Sequence, residues 1–264
     1  MLHSIARLKG VTIQATDGEI GKVGQFYFDD ETWAIRYLIV EAGSWLSGRP
    51  VLISPAALGH DAWNSRTLHV ALTKKKIQGS PPIDTQKPVS RQHEAAYMGY
   101  YGYTYYWHGP FLWGFGASPA ALHEAGPAKP SRYPGAESAD SHLRSTDEVK
   151  GYHIESSDGE VGHVEDFLVD DSNWSIRYLE VDTQNWWPGK KVLVSPEWID
   201  QVRWADSIVR IGLARETIKQ APEYIESQPI TRDFEAKLHD HYGRRAYWLT
   251  APRQEPAARR AKAG

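Results

Sequence analysis

The chain has 264 residues, of which 41% are hydrophobic and 24% charged, with a formal net charge of −3. It contains no cysteine, which excludes disulfides, thiolate nucleophiles, zinc ribbons and cysteine-held iron–sulfur clusters. The acidic balance counts against general nucleic-acid binding, which needs phosphate neutralisation, and no run of about 18 apolar residues offers a membrane-spanning helix.

In chain order, Met1–Arg7 carries no apolar signal segment, so a cytoplasmic location is expected. Asp17-Gly18 marks a tight turn, because Asp and especially Gly accept a positive φ. A strand over Gly21–Phe28 follows, then an acidic turn at Asp29-Asp30 and a strand over Trp33–Val40. Alternation puts Trp33, Ile35 and Tyr37 on one face of that strand and Ala34, Arg36, Leu38 and Val40 on the other. Two largely apolar faces suit a small closed barrel that also packs against something outside it. Gly48 marks a loop, Pro55 ends a strand over Val51–Ser54, and Leu68–Leu72 supplies a late strand. Thr73–Gln78 reads as a helical turn stopped by Pro81, and Ser90 as the N-cap of a short helix running to Tyr101.

The same order returns 141 residues later, where Asp17-Gly18-Glu19-Ile20-Gly21 becomes Asp158-Gly159-Glu160-Val161-Gly162. Trp33-Ala34-Ile35-Arg36-Tyr37-Leu38 becomes Trp174-Ser175-Ile176-Arg177-Tyr178-Leu179 at the same offset, and Val51–Pro55 becomes Val192–Pro196, with Gly189 as the loop glycine. Trp63 matches Trp204, and the register holds without a gap to Arg91/Arg232, Glu94/Glu235 and Tyr106-Trp107/Tyr247-Trp248. About a third of positions from Gly10 to Trp107 equal their partners, and so long a period means duplicated domains rather than a solenoid. The expected organisation is a barrel over 1–82 with an aromatic helical tail over 83–108 and a Gly/Pro/Ala-rich linker over 109–145. A second barrel over 146–222 follows, with its tail over 223–250 and a disordered basic end over 251–264.

The pattern D-G-E-[IV]-G-x-V, then D-D, then W-x-I-R-Y-L, then V-L-[IV]-S-P, spans Asp17–Pro55 and again Asp158–Pro196. It resembles the PRC-barrel family, whose small β-barrel occurs in the H subunit of purple-bacterial photosynthetic reaction centres and in a bacterial ribosome-maturation factor. The resemblance covers about two-thirds of the chain and is nearest to stand-alone bacterial members. It implies a mainly β fold of two tandem barrels joined by a flexible linker, and a habit of docking onto larger assemblies. It implies no reaction.

The chemistry-bearing residues agree with that. No G-x-x-x-x-G-K-[ST] loop and no G-x-S-x-G elbow is present. His239 and His241 are two apart, the wrong spacing for joint chelation on a helix, and read as solvated; His60, His69 and His163 stand singly. Asp17, Glu19, Asp29, Asp30, Asp158, Glu160, Asp170 and Asp171 read as turn residues, because calcium needs a D-x-[DN]-x-[DN]-G loop that is absent. Arg36 and Arg177, among apolar neighbours, need a carboxylate partner, with Glu41/Asp182 or the Asp29/Asp170 turns in reach, or serve as docking contacts. Trp33 and Trp174 read as core anchors.

From Ala95 to His123 there is no Lys, Arg, Asp or Glu, while Tyr97–Phe115 is crowded with rings. Phe111, Trp113 and Phe115 have no repeated counterpart and are the expected partner contacts. The functional expectation is a non-enzymatic binding or scaffold protein without cofactor or metal. It would dock onto a protein assembly, with peripheral contact at the inner face of a membrane as an extension. An RNA- or ribosome-associated assembly factor and an enzyme with a site between the barrels are the alternatives.

Overall fold

The computed structural model describes residues 1–59, 67–83, 89–124, 142–183 and 190–249. His60 and Trp63, residues 125–141 of the expected linker, Gly189 and the 251–264 tail lie outside the described residues.

The first copy opens with strand β1 (Leu2–Ser4) and a one-turn helix α1 (Ile5–Leu8), whose N-cap Ser4 accepts from the Arg7 amide. Strands β2 (Thr12–Ala15), β3 (Gly18–Asp29), β4 (Ile35–Ala42), β5 (Pro50–Ile53) and β6 (Thr67–His69) follow, then helices α2 (Lys74–Gln78), α3 (Arg91–Tyr101) and α4 (Ala121–Glu124). The second copy repeats the series. It comprises β7 (Leu143–Ser145), α5 (Thr146–Val149), β8 (His153–Ser156), β9 (Gly159–Asp170), β10 (Ile176–Asp182), β11 (Lys191–Val194), β12 (Ile199–Arg203), β13 (Ile208–Ile211), α6 (Arg215–Lys219) and α7 (Arg232–His241). Thr73, Ser90 and Thr231 cap α2, α3 and α7 through their side chains, each satisfying an amide that the first turn leaves without a partner. Gly18 and Gly159, at φ 136° and 143°, make the β2–β3 and β8–β9 turns. Asp17 and Asp158 then accept the Lys74 and Arg215 amides at 2.8 and 2.7 Å, tying each hairpin to the helix behind it.

The described residues form two sheets. One runs β5-β4-β3-β2-β6 and the other β11-β10-β9-β8-β13-β12, with β2–β6 and β8–β13 parallel and the remaining neighbours antiparallel. Neither path closes on itself among the described residues. The expectation of two self-contained units therefore needs correction, because each sheet includes a strand from the other copy. β1 pairs with β9 (Leu2↔Asp170, His3↔Val169, Ser4↔Leu168), and β7 pairs with β3 in the same register (Leu143↔Asp29, Arg144↔Phe28, Ser145↔Tyr27). The exchange is reciprocal residue for residue at the 141 offset. It is sealed where Ala34 bridges Ser175, with Ile35 donating to the Trp174 carbonyl and Ile176 to the Trp33 carbonyl, both at 2.8 Å. A pseudo-two-fold relation thus passes between Ala34 and Ser175, and one hydrophobic core runs through both copies from Ile5 to Tyr242.

Two further expectations change. Residues 109–124 and 142–145, read as linker, contain ordered turns, α4 and β7. Trp33 and Trp174, read as strand openers, hold left-handed φ angles of 56° and 61°, and their strands begin at Ile35 and Ile176. The cause is the acidic turn. The backbone carbonyl of Asp29 accepts the Trp33 amide at 2.8 Å and that of Asp170 the Trp174 amide at 2.7 Å, which turns each tryptophan carbonyl across the junction. Both rings are buried, Trp33 stacked on Phe28 at 5.0 Å and Phe28 against Phe167 of the other copy at 6.1 Å. Aromatic area repays the strained backbone.

Candidate interaction site at the junction of the copies

Arg36 on β4 is 2% exposed, so its charge must be answered locally. Its Nη1 donates to the Leu112 carbonyl at 2.8 Å, its Nη2 donates to Thr32 Oγ1 at 3.1 Å, and Asp29 lies 3.8 Å away. The guanidinium lies over the rings of Tyr106, at 3.8 Å, and Trp113, at 4.7 Å. Arg36 is therefore no surface docking contact. Of the pairings weighed for it, the Asp29 turn is the one the structure shows, and Arg177 likewise meets Asp170 through two nitrogens at 3.2 Å. Ser172 and Arg177 outweigh burial and hold the Asp170 carboxyl below its usual range.

The segment carrying Trp113 is a compact tongue. Phe111 donates to the Gly114 carbonyl, and Trp113 to that of Gly116, each at 3.0 Å. Trp113 is completely buried and its Nε1 donates to the Asn173 carbonyl of the second copy at 2.8 Å. Its expected role as a partner contact is corrected here: the junction offers a buried acceptor and a buried cation, and the indole satisfies both. Phe115 remains 69% exposed, and Phe111 is half-buried.

Behind Arg36 lies a buried ionic network. Glu94 Oε1 accepts from the Tyr37 and Tyr106 hydroxyls at 3.1 and 2.6 Å, while its Oε2 meets Arg91 at 3.2 Å and His142 at 2.9 Å. Burial and the Glu94 charge push the Tyr37 and Tyr106 hydroxyls well above the ordinary phenol range. Burial disfavours the His142 cation, but the Glu94 hydrogen bond and charge outweigh it and raise its pKa. The second copy repeats the design. Glu235 accepts from Tyr178 and Tyr247 at 3.1 and 2.8 Å and pairs with Arg232 at 3.0 Å. Here His239 enters where Met98 stands in copy one. It is buried rather than solvated, bonded to Tyr178 Oη at 3.0 Å, and burial lowers its pKa. His241 is half-buried, bonded to the Thr217 carbonyl at 2.7 Å. The sequence carries one signal of this network: Arg91/Arg232, Glu94/Glu235 and Tyr106/Tyr247 are identical at the repeat offset.

The turn carboxylates hold backbone and the exchanged strands. Asp29 Oδ1 accepts the Glu31 and Thr32 amides, and Asp170 Oδ1 the Ser172 amide. Asp30 pairs with Arg144 at 3.1 Å, and Asp171 with the Met1 ammonium at 2.5 Å, each crossing between copies. Deeper in, Ser145 donates to Gln25 at 2.5 Å, and Ser4 donates to Asp166, whose carboxyl burial pushes upward. Asp166 lies opposite Glu180, itself buried and raised to about 7 by burial although Lys191 sits 2.6 Å away.

His163, expected to stand alone, has ligand neighbours. Its ring nitrogen, a Glu165 oxygen and an Asp182 oxygen all lie within 4.8 Å of one another, across β9 and β10. Lys150 holds Glu165 at 3.0 Å, and copy one carries Lys22, Gly24 and Glu41 at the matching places. This set was hidden because cross-strand pairing, not sequence spacing, assembles it.

Fold and junction together define a tandem of β-rich modules that exchange their N-terminal strands and share one core. Residues 2–77 match the family model of the PRC-barrel domain. The match covers the first copy; the second is tied to it by the repeated sequence and the repeated strand order. No curated protein matches the chain.

Proposed function

We propose that the chain is a non-enzymatic binding or scaffold protein, in which both copies are PRC-type barrels fused into a single strand-exchanged unit that docks onto a protein assembly. The observation that carries this reading is the PRC-barrel match over residues 2–77, whose first strand, Leu2–Ser4, is spent on joining the two copies. The polar groups that could attract a chemical reading have structural duties: Asp17 and Asp158 hold helix amides, and Glu94 and Glu235 hold tyrosines and arginines. Among the described residues no helix is long and apolar enough to cross a membrane. Residence in the cytoplasm, with contact at the inner membrane face, belongs to the same proposal. Cross-linking in the native cell followed by affinity capture of the full chain tests it. A reproducible, stoichiometric protein partner is expected. A chain that cross-links to no protein and purifies alone would refute the scaffold reading.

A further inference from the structure

The two copies differ on one face of β9 and β10. The register sets Asp182 on β10 opposite His163 on β9. Glu165 is the extra residue of a bulge, since Val164 pairs with Val181 and Asp166 with Glu180. The His163 ring nitrogen, a Glu165 oxygen and an Asp182 oxygen lie within 4.8 Å of one another. Glu165 turns Oε2 to His163 Nε2 at 3.7 Å and Oε1 to Lys150 at 3.0 Å. Asp182 is buried, whereas the His163 and Glu165 side chains are 35% and 32% exposed, so the set is open to solvent on their side. Copy one carries Lys22 opposite Glu41, with Gly24 as the bulge residue. A Cβ at Gly24 would meet Glu41 Oε1 at 3.0 Å, so the Glu41 side chain takes the space that Glu165 fills in copy two. Copy two thus replaces a lysine by an imidazole and adds a second carboxylate. Both changes remove positive charge and supply donors.

We propose that His163, Glu165 and Asp182 bind a divalent transition-metal ion, with zinc the ion that their donors suit. One imidazole nitrogen with two carboxylate oxygens is a set that zinc accepts, whereas calcium and magnesium call for oxygen ligands. Bonds of about 2.0–2.2 Å place neighbouring donors of a tetrahedral zinc about 3.4 Å apart. The donors here, 3.7 Å apart at His163–Glu165 and within 4.8 Å throughout, close on the ion by side-chain rotation. Lys150 is no obstacle, because Glu165 holds it through the other oxygen and an exposed ion pair contributes little. Asp182 has other interactions as well, and a carboxylate with about four lone-pair positions serves them and the ion together. Three protein donors leave a fourth position to water. The expectation of a metal-free chain rested on spacing along the sequence, which does not record a set assembled across strands. This inference goes beyond the scaffold reading and is independent of it.

Zinc titrated by calorimetry into the full chain, first stripped with a chelator and dialysed, tests the site. One saturable site is expected, with a rise in Tm, because an ion that binds the folded state stabilises it. His163→Lys and Glu165→Gly install the residues that copy one already accommodates, so the fold should hold. Each should weaken zinc binding about a hundredfold or more and abolish the rise in Tm, since removing only a hydrogen-bond partner of a ligand costs about 10–100-fold. Glu165→Gln, which keeps the shape and loses the charge, serves if either variant folds poorly, and it too should weaken binding. His153→Gln is the control. It stands opposite His163 on β8 but pairs with Glu160 at 3.1 Å, and its replacement should leave the affinity unchanged. Absence of saturable binding overturns the site, and so does equal binding by wild type and the His163 and Glu165 variants. A loss in His153→Gln as large as in His163→Lys overturns it too, as the mark of adventitious binding to surface histidines.

Discussion

Replacing Trp113 by alanine removes the largest fully buried side chain in the described structure and uncovers the Arg36 guanidinium beneath it. Truncating a buried tryptophan costs about 3–5 kcal/mol, from lost transfer energy and the cavity left behind. The upper part of that range applies here, because the indole also covers a buried cation and satisfies the Asn173 carbonyl. For a chain of this size a loss of about 4–5 kcal/mol corresponds to a fall in Tm of about 8–20 °C. Scanning calorimetry is the assay, with Phe115→Ala as the control on the same tongue. Phe115 is 69% exposed, and its removal should stay within about 0.5 kcal/mol. Because the core is continuous, Trp113→Ala should lower one shared transition rather than melt one copy early. A loss below about 1 kcal/mol for Trp113→Ala would refute the placement of this ring in the junction.

Three other outcomes are expected. A fragment ending at Glu124 should associate as a homodimer in which Leu2–Ser4 of each chain fills the edge taken here by Leu143–Ser145, and a folded monomer in sedimentation equilibrium would contradict the exchange. Gly21→Ala and Gly162→Ala should each destabilise by about 1–3 kcal/mol on denaturant melts, because a Cβ would meet the Glu41 or Asp182 carbonyl oxygen at 2.0 or 1.9 Å; wild-type stability in both would show that the strands part easily. Burial holds the folded-state pKa of Glu180 at about 7, above its ordinary 4.5, so its contribution is fully present below pH 4.5 and is lost as pH rises through about 7. Wild type minus Glu180→Gln should therefore show stability falling across that interval; a flat difference would place the carboxylate in water, and a rising one would show the Lys191 ion pair outweighing burial.

The repeat at 141 residues, the turns at Asp17 and Asp158, the capping by Ser90 and Thr231 and the mainly β class are all legible in the sequence. Each depends on a residue and its near neighbours: a glycine that tolerates a positive φ, a hydroxyl that caps its own helix, apolar residues at alternate positions. The partner of a strand is a different matter. Leu2–Ser4 and Leu143–Ser145 carry the leucine and serine repeat that marks them as equivalent, yet nothing local says whether each completes its own sheet or the other. The shared junction decides it, through the Ala34–Ser175 bridge and the crossing pairs Asp30–Arg144 and Asp171–Met1. Trp113 shows the same division. Its lack of a repeated counterpart is plain in the sequence and suggests a ring without a core to fill. Only in three dimensions does the asymmetric junction supply Arg36 and the Asn173 carbonyl, contributed by strands and turns from both copies, to bury it. Long-range pairing is set by the summed burial of two copies together, a quantity that no window of sequence contains.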